Sequence, residues 1–216
     1  MRNLIIFGGT FDPPHNGHIN TAINVQNHFN FERFLFLPCK TPLLKNQATA
    51  TPIQRIDMLN LALTTVDKTL NFQIDLSEIN RDTPSYMVDS LQHFRKQFGE
   101  QIVLTLLMGA DAFSQLPYWH AWTKLLTLAN ILVIKRAGFD DKTHSDLIRE
   151  LLIKHETKDS TAICEQKYGA IYRFDAGNFD FSSTWVRKEL RDNKDLSHYL
   201  PESIMQYIKQ NGLYSH

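Results

Sequence analysis

The chain has 216 residues, 43% of them hydrophobic, and its 23 Lys and Arg are balanced by 23 Asp and Glu. That length suits a single domain spanning 1–216, and the absence of net charge gives neither nucleic acid nor an anionic membrane a reason to bind. Only Cys39 and Cys164 are present, without paired spacing, which argues against a disulfide framework or a cysteine zinc site and suits the cytoplasm.

The first apolar run, residues 4–7, is too short for a signal peptide or a membrane span, and no later run reaches that length. It reads as a strand. "GGTFDPPHNGHINTA" follows at 8–22 and leads into a helix-period segment at 17–29 that begins near Asn16. A second strand is expected at 34–37. A helix at 53–66 follows, with Thr51 as N-cap and Pro52 at the first helical position, where a missing N–H is harmless. A short strand is expected at 72–76. The next helix, at 86–98, is opened by Thr83, Pro84 and Ser85. Strands at 102–108 and 131–134 flank a helix at 122–128, and the polar span 140–168 reads as a surface excursion carrying a helix at 146–155. An edge strand at 171–174 precedes the C-terminal helical part, 181–216. There Ser182, Ser183 and Thr184 offer caps, and a last helix starts after Pro201 and stops at Gly212. Continuous apolar strands alternating with helices predict an α/β fold: a Rossmann-like doubly wound parallel sheet with helices on both faces.

In such a sheet the first strand ends where the strand order reverses, and a turn into a helix start there turns backbone N–H groups towards a ligand. Gly8 and Gly9 let a ligand approach the backbone, Thr10 adds a hydroxyl, Pro13 and Pro14 stiffen the path, and His15 and His18 flank the helix start around Gly17. The stretch matches neither a Walker A loop nor the dinucleotide fingerprint, which needs a glycine where Asp12 and Pro13 stand. A metal held by Asp12, His15 and His18 lacks a fourth ligand, and no metal site is expected. A structural turn with solvated histidines is the bland alternative.

"GTFDPPHNGH" resembles the GTFDP-x-H-x-GH signature of the nucleotidyltransferase superfamily. "PSY" at 84–86, "MGAD" at 108–111, "LPYWHAW" at 116–122, "IKRAG" at 134–138, "FSSTWVR" at 181–187 and the closing "LPESIMQYIKQNGLY" look, in order, like landmarks of bacterial-type nicotinate-nucleotide adenylyltransferases. The resemblance implies transfer of the adenylyl group of ATP to nicotinate mononucleotide, giving deamido-NAD and pyrophosphate, with Mg²⁺ accompanying the triphosphate. It implies His15, His18 and Arg187 as catalytic donors. Gly8, Gly9, Thr10, Phe11, Lys45, Gly109, Asp111, Arg136, Ser182 and Thr184 would lie around ATP, with Asp111 on its ribose. Ser85, Tyr86, Met87, Trp119 and His120 would form the nicotinate site, Trp119 stacking on the ring and main-chain amides taking the carboxylate. Spacing alone favours "LPYWHAW" as ordinary core and turn aromatics, and the order of the landmarks reverses that for Trp119 but not for Trp122. Met87, His120, Leu44 and Trp185 depart from the family pattern. Sister transferases acting on the amidated mononucleotide or on phosphopantetheine share the histidine motif, as would a non-catalytic nucleotide-binding protein. Self-association into a homo-oligomer is left open.

Overall fold

The computed structural model describes residues 2–43, 47–135, 145–177, 179 and 181–215. Six strands among them, β1 (Asn3–Gly9), β2 (Arg33–Pro38), β3 (Phe72–Ile74), β4 (Val103–Gly109), β5 (Asn130–Ile134) and β6 (Ile171–Phe174), form one sheet in the order β3-β2-β1-β4-β5-β6. Every pairing is parallel. β1 is therefore central, Phe7 lying in register with Phe36 on one side and Leu107 on the other, and the order reverses between β1 and β4.

Side chains alternate across this sheet with period two, so consecutive aliphatics go to opposite cores. Ile5, Phe34, Phe36, Leu107 and Leu132 meet α1 (Asn16–Phe29), α2 (Pro52–Thr64), α8 (Ala162–Glu165), α9 (Ser183–Arg191) and α10 (Glu202–Gln210). Leu4, Ile6, Leu35, Leu104, Leu106 and Ile131 meet α4 (Met87–Phe98), α5 (Ala110–Ser114), α6 (Leu125–Leu128) and α7 (Asp146–His155) on the other face. Both faces are covered, which is why the strands read as unbroken apolar runs. No helix among the described residues is long and apolar enough to cross a membrane.

Local chemistry sets most helix ends. Thr51 and Gln54 form a reciprocal capping box with Pro52 following. α10 ends in a Schellman arrangement, Gly212 at φ 57 donating to Lys209 O and Leu213 donating to Ile208 O. Three features differ from expectation. The segment expected to be helical at 122–128 divides into a 3-10 turn, Trp122–Lys124, and the short α6, after Ala121 takes a left-handed conformation. α4 begins at Met87 rather than at Tyr86 and is not capped from the Thr83–Ser85 stretch, since the Ser85 hydroxyl accepts from Lys40 N–H (3.1 Å) instead. The described part of 140–168, read as a surface excursion, buries Ile148 and Ile163 completely in the two cores, and Thr105 Oγ1 donates to Ile163 O across 2.6 Å. α3 (Ser77–Asn80) and α8 span four residues each, too short to carry a helical period.

Candidate active site

β1 delivers its last residues to the switch point, and the turn beyond it is built around two imidazoles. His15 is the N-cap of α1 and His18 its third residue. His18 N–H donates to His15 Nδ1 (3.4 Å) while His15 N–H donates to His18 Nδ1 (3.3 Å), a capping box in which histidines occupy both places. The rings consequently stack, centroids 3.7 Å apart at 23°. An Nδ1 that accepts carries no proton, so each neutral ring holds its proton on Nε2 and can donate from there. Phe11 stands edge-on to His18 and Phe181 packs beside His15, which limits the rings' freedom. A side chain at Gly17 would press on the His15 ring at 3.1 Å, and one at Gly9 would meet the Phe11 ring at 2.8 Å. Phe11 itself takes φ 51 while fully enclosed, a left-handed conformation that L-residues seldom adopt, held by its packing.

Two buried charged residues fix this turn, and sequence reasoning assigned neither that role. Asp12 accepts from Thr49 N–H, Ala50 N–H and the Tyr214 hydroxyl (2.8, 3.1 and 2.7 Å). Its peptide oxygen takes Arg187 Nη1 at 2.6 Å, and the same nitrogen lies 3.7 Å from the carboxylate. Arg55 has no exposed surface; it donates to Thr10 O, Cys39 O and Lys40 O, clamping the loops that leave β1 and β2. The only sequence sign of Arg55 was its place on the inward stripe of a helix that starts beside the crevice.

Those predicted residues that the structure describes lie at or beyond the carboxyl ends of the strands. Ser182 caps α9 by accepting from Trp185 N–H, Thr184 Oγ1 accepts from Arg187 Nη2 (3.3 Å), and Ser183 Oγ donates to Pro13 O (2.9 Å), so the start of α9 is bound to the histidine turn. Thr10 accepts from the Cys39 thiol, whose ionisation burial makes harder. Gly109 ends β4 with open space where a Cβ would stand, and Asp111 lies in the first turn of α5 with its side chain at the surface. Lys45 and Arg136 lie outside the described residues.

The expected nicotinate residues come together from two elements. Tyr86 and His120 stack at 4.2 Å and 28°, joining the start of α4 to the turn that carries Trp119. Trp119 is half-buried at the edge of the second core, as is Trp122. α4 has no side-chain cap, so its first N–H groups, at Met87 and Val88, are available to an anion, whereas Tyr86 N–H is already given to Pro84 O (2.8 Å). A Cβ at Gly8 would meet the Met87 methyl at 2.8 Å, so the missing side chain lets the two halves touch. Behind this stretch Glu78 is buried and accepts from the Ser90 hydroxyl. Burial pushes its carboxyl above the ordinary range, although the Ser90 bond and Arg81 oppose the shift.

No three His, Cys, Asp or Glu side chains among the described residues converge as a metal site. A cleft of about 830 Å³ between α1, α10 and the 3-10 turn Lys68–Leu70 contains none of the predicted residues. The crevice at the strand ends is the better candidate, because donors converge on it from β1, α1, α4 and α9.

A family model described as cytidylyltransferase-like matches residues 6–189. A Legionella pneumophila (strain Corby) protein named "Probable nicotinate-nucleotide adenylyltransferase" is 42% identical over 214 residues, 99% of this chain and 100% of that one. A Methylococcus capsulatus protein of the same name is 36% identical over 210 residues, 97% and 98% of the two chains. Among solved structures, "Plasmodium falciparum nicotinic acid mononucleotide adenylyltransferase complexed with NaAD" superposes with a TM-score of 0.73 over 99% of this chain and 98% of that one, at 20% identity, an agreement of fold.

Proposed function

The chain belongs to the nicotinate-nucleotide adenylyltransferases within the cytidylyltransferase-like family, and from that premise we propose that it joins nicotinate mononucleotide to the adenylyl group of ATP, releasing pyrophosphate. An oxygen of the mononucleotide phosphate attacks the α-phosphorus of ATP, and the bond from that phosphorus to the bridging oxygen of the β-phosphate breaks. The attacking oxygen is already anionic, so no side-chain nucleophile or general base is required. What remains is alignment and neutralisation of the charge that moves onto the leaving pyrophosphate.

The observation that carries this reading is the reciprocal histidine cap. It sets two stacked rings with Nε2–H as the donating edge, next to a turn whose Asp12 carbonyl holds Arg187. Donors fixed in advance need not reorganise as charge develops, which is the condition for electrostatic catalysis. Gly8, Gly9, Thr10, Phe11, Ser182 and Thr184 line the phosphate end, Asp111 takes the ribose hydroxyls, and Gly109 leaves room for the nucleotide. Trp119 stacks on the pyridine ring, and the uncapped start of α4, through the Met87 and Val88 amides beside Ser85 and Tyr86, takes the nicotinate carboxylate with help from His120. Among the described residues no three His, Cys, Asp or Glu side chains converge to hold a metal, so Mg²⁺ would enter with ATP and would neutralise part of the triphosphate charge.

The test is pyrophosphate release from ATP or CTP with nicotinate mononucleotide, its amide, phosphopantetheine or choline phosphate as acceptor. Nicotinate mononucleotide with ATP is expected to be fastest. Faster turnover of phosphopantetheine, of the amide or of CTP would assign the chain to a sister transferase, and binding without turnover would make it a nucleotide sensor.

A further inference from the structure

Asp12 holds the guanidinium of Arg187 through its peptide oxygen, yet its own position depends on partners far along the chain. Its carboxylate is 2% exposed and accepts two backbone N–H groups from the 49–50 stretch and one hydroxyl, that of Tyr214. Tyr214 is 4% exposed and adopts φ 63, two residues after Gly212 turns the chain out of α10 at φ 57. The left-handed backbone, uncommon for a bulky residue, turns its ring into the core shared by α1, α2 and α9 and brings the hydroxyl to Asp12 Oδ1 at 2.7 Å. Burial and the negative charge of Asp12 keep that phenol protonated, so it acts as a donor throughout the ordinary pH range.

We infer that Tyr214 is a positioning residue for Arg187, acting through Asp12: its hydroxyl fixes the carboxylate, the carboxylate fixes the turn, and the Asp12 carbonyl fixes the guanidinium. The inference rests on the reading of Arg187 as a group that faces the phosphates. A second tyrosine separates this role from simple anchoring of the chain end. Tyr207 on α10 donates to Asp57 Oδ2 on α2 at 2.9 Å, so its hydroxyl docks the same segment onto α2 rather than onto the turn.

The experiment is a double-mutant cycle of Tyr214→Phe and Arg187→Ala, with Tyr207→Phe as the docking control and thermal unfolding of every variant. Tyr214→Phe is expected to lower kcat about 3- to 10-fold with Arg187 present and under 1.5-fold in the Arg187→Ala background, while Tyr207→Phe leaves kcat unchanged. Equal losses in both backgrounds, no loss in either, or the same loss from Tyr207→Phe overturns the inference. Amide hydrogen exchange judges the link without turnover. In Tyr214→Phe the amides of Thr49, Ala50 and the first turn of α9 should exchange faster while those of β4 do not, and unchanged exchange at the first three places also overturns it. A wild-type chain that forms no deamido-NAD refutes the functional reading alone, because the exchange measurement still decides the link.

Discussion

Around His15 and His18 the crevice is stitched together from distant parts of the chain, Asp12 alone gathering Thr49, Ala50, Arg187 and Tyr214, while at Trp119 and His120 it consists of one surface turn against the uncapped start of α4. The first end is dense with buried hydrogen bonds that leave its donors little freedom. The second offers ring faces and helix-start amides. The contrast follows the chemistry each end would serve. Charge developing on a phosphate is best met by groups that do not move, whereas telling one planar ring from another needs a face and a carboxylate receptor.

The largest expected effect lies at the fixed end. His18→Ala or Arg187→Ala should lower kcat by about 10²- to 10³-fold with smaller changes in KM, since one pre-set donor to a developing charge is worth that much. A fall of under about threefold for both would mean the charge develops elsewhere. Next comes Arg55→Met, which strands three carbonyls and should lower unfolding free energy in urea by about 3 kcal/mol. A loss below about 1 kcal/mol would show that water satisfies them and that the fixed end is less dependent on burial than the contrast supposes.

At the open end the effects should be smaller and one-sided. Trp119→Ala is expected to raise KM for the pyridine mononucleotide about tenfold and to leave KM for ATP almost unchanged, as removal of a stacking face should. Equal losses for both substrates would erase the distinction between the two ends. The smallest effect concerns Glu78, which supports α4 from beneath through Ser90. Its carboxyl is raised by burial, so the folded state favours the protonated form, and the stability it contributes is present at low pH and lost as pH climbs through the raised value. Glu78→Gln should therefore unfold at a higher temperature than wild type at about pH 8 and lose that advantage towards about pH 4, as followed by circular dichroism.

Strand positions were legible because a parallel strand covered on both faces can only be apolar, and Leu4, Ile5 and Ile6 each find a core. The histidines were legible because their spacing and the surrounding Gly and Pro are local facts. The contacts that escaped are non-local, including one made by Arg187, a residue that the resemblance already names. Arg55 reaches back 45 residues to Thr10, Arg187 reaches 175 to Asp12, and Tyr214 reaches 202 to the same aspartate. Nothing in the few residues around any of them signals a partner at that distance. Ser85 shows the converse error: a residue with the right chemistry for a helix cap was drawn away by Lys40, and the helix starts at Met87, one residue later than expected, with Tyr86 at its cap position.

The placement of Tyr214 also bears on how the molecule is made. A hydroxyl about two hundred residues downstream completes the bonding of the Asp12 turn, so during synthesis the turn exists long before the group that fixes it. A chain halted before that tyrosine, or trimmed past it by a carboxypeptidase, would carry the Asp12 turn without the hydroxyl that fixes it.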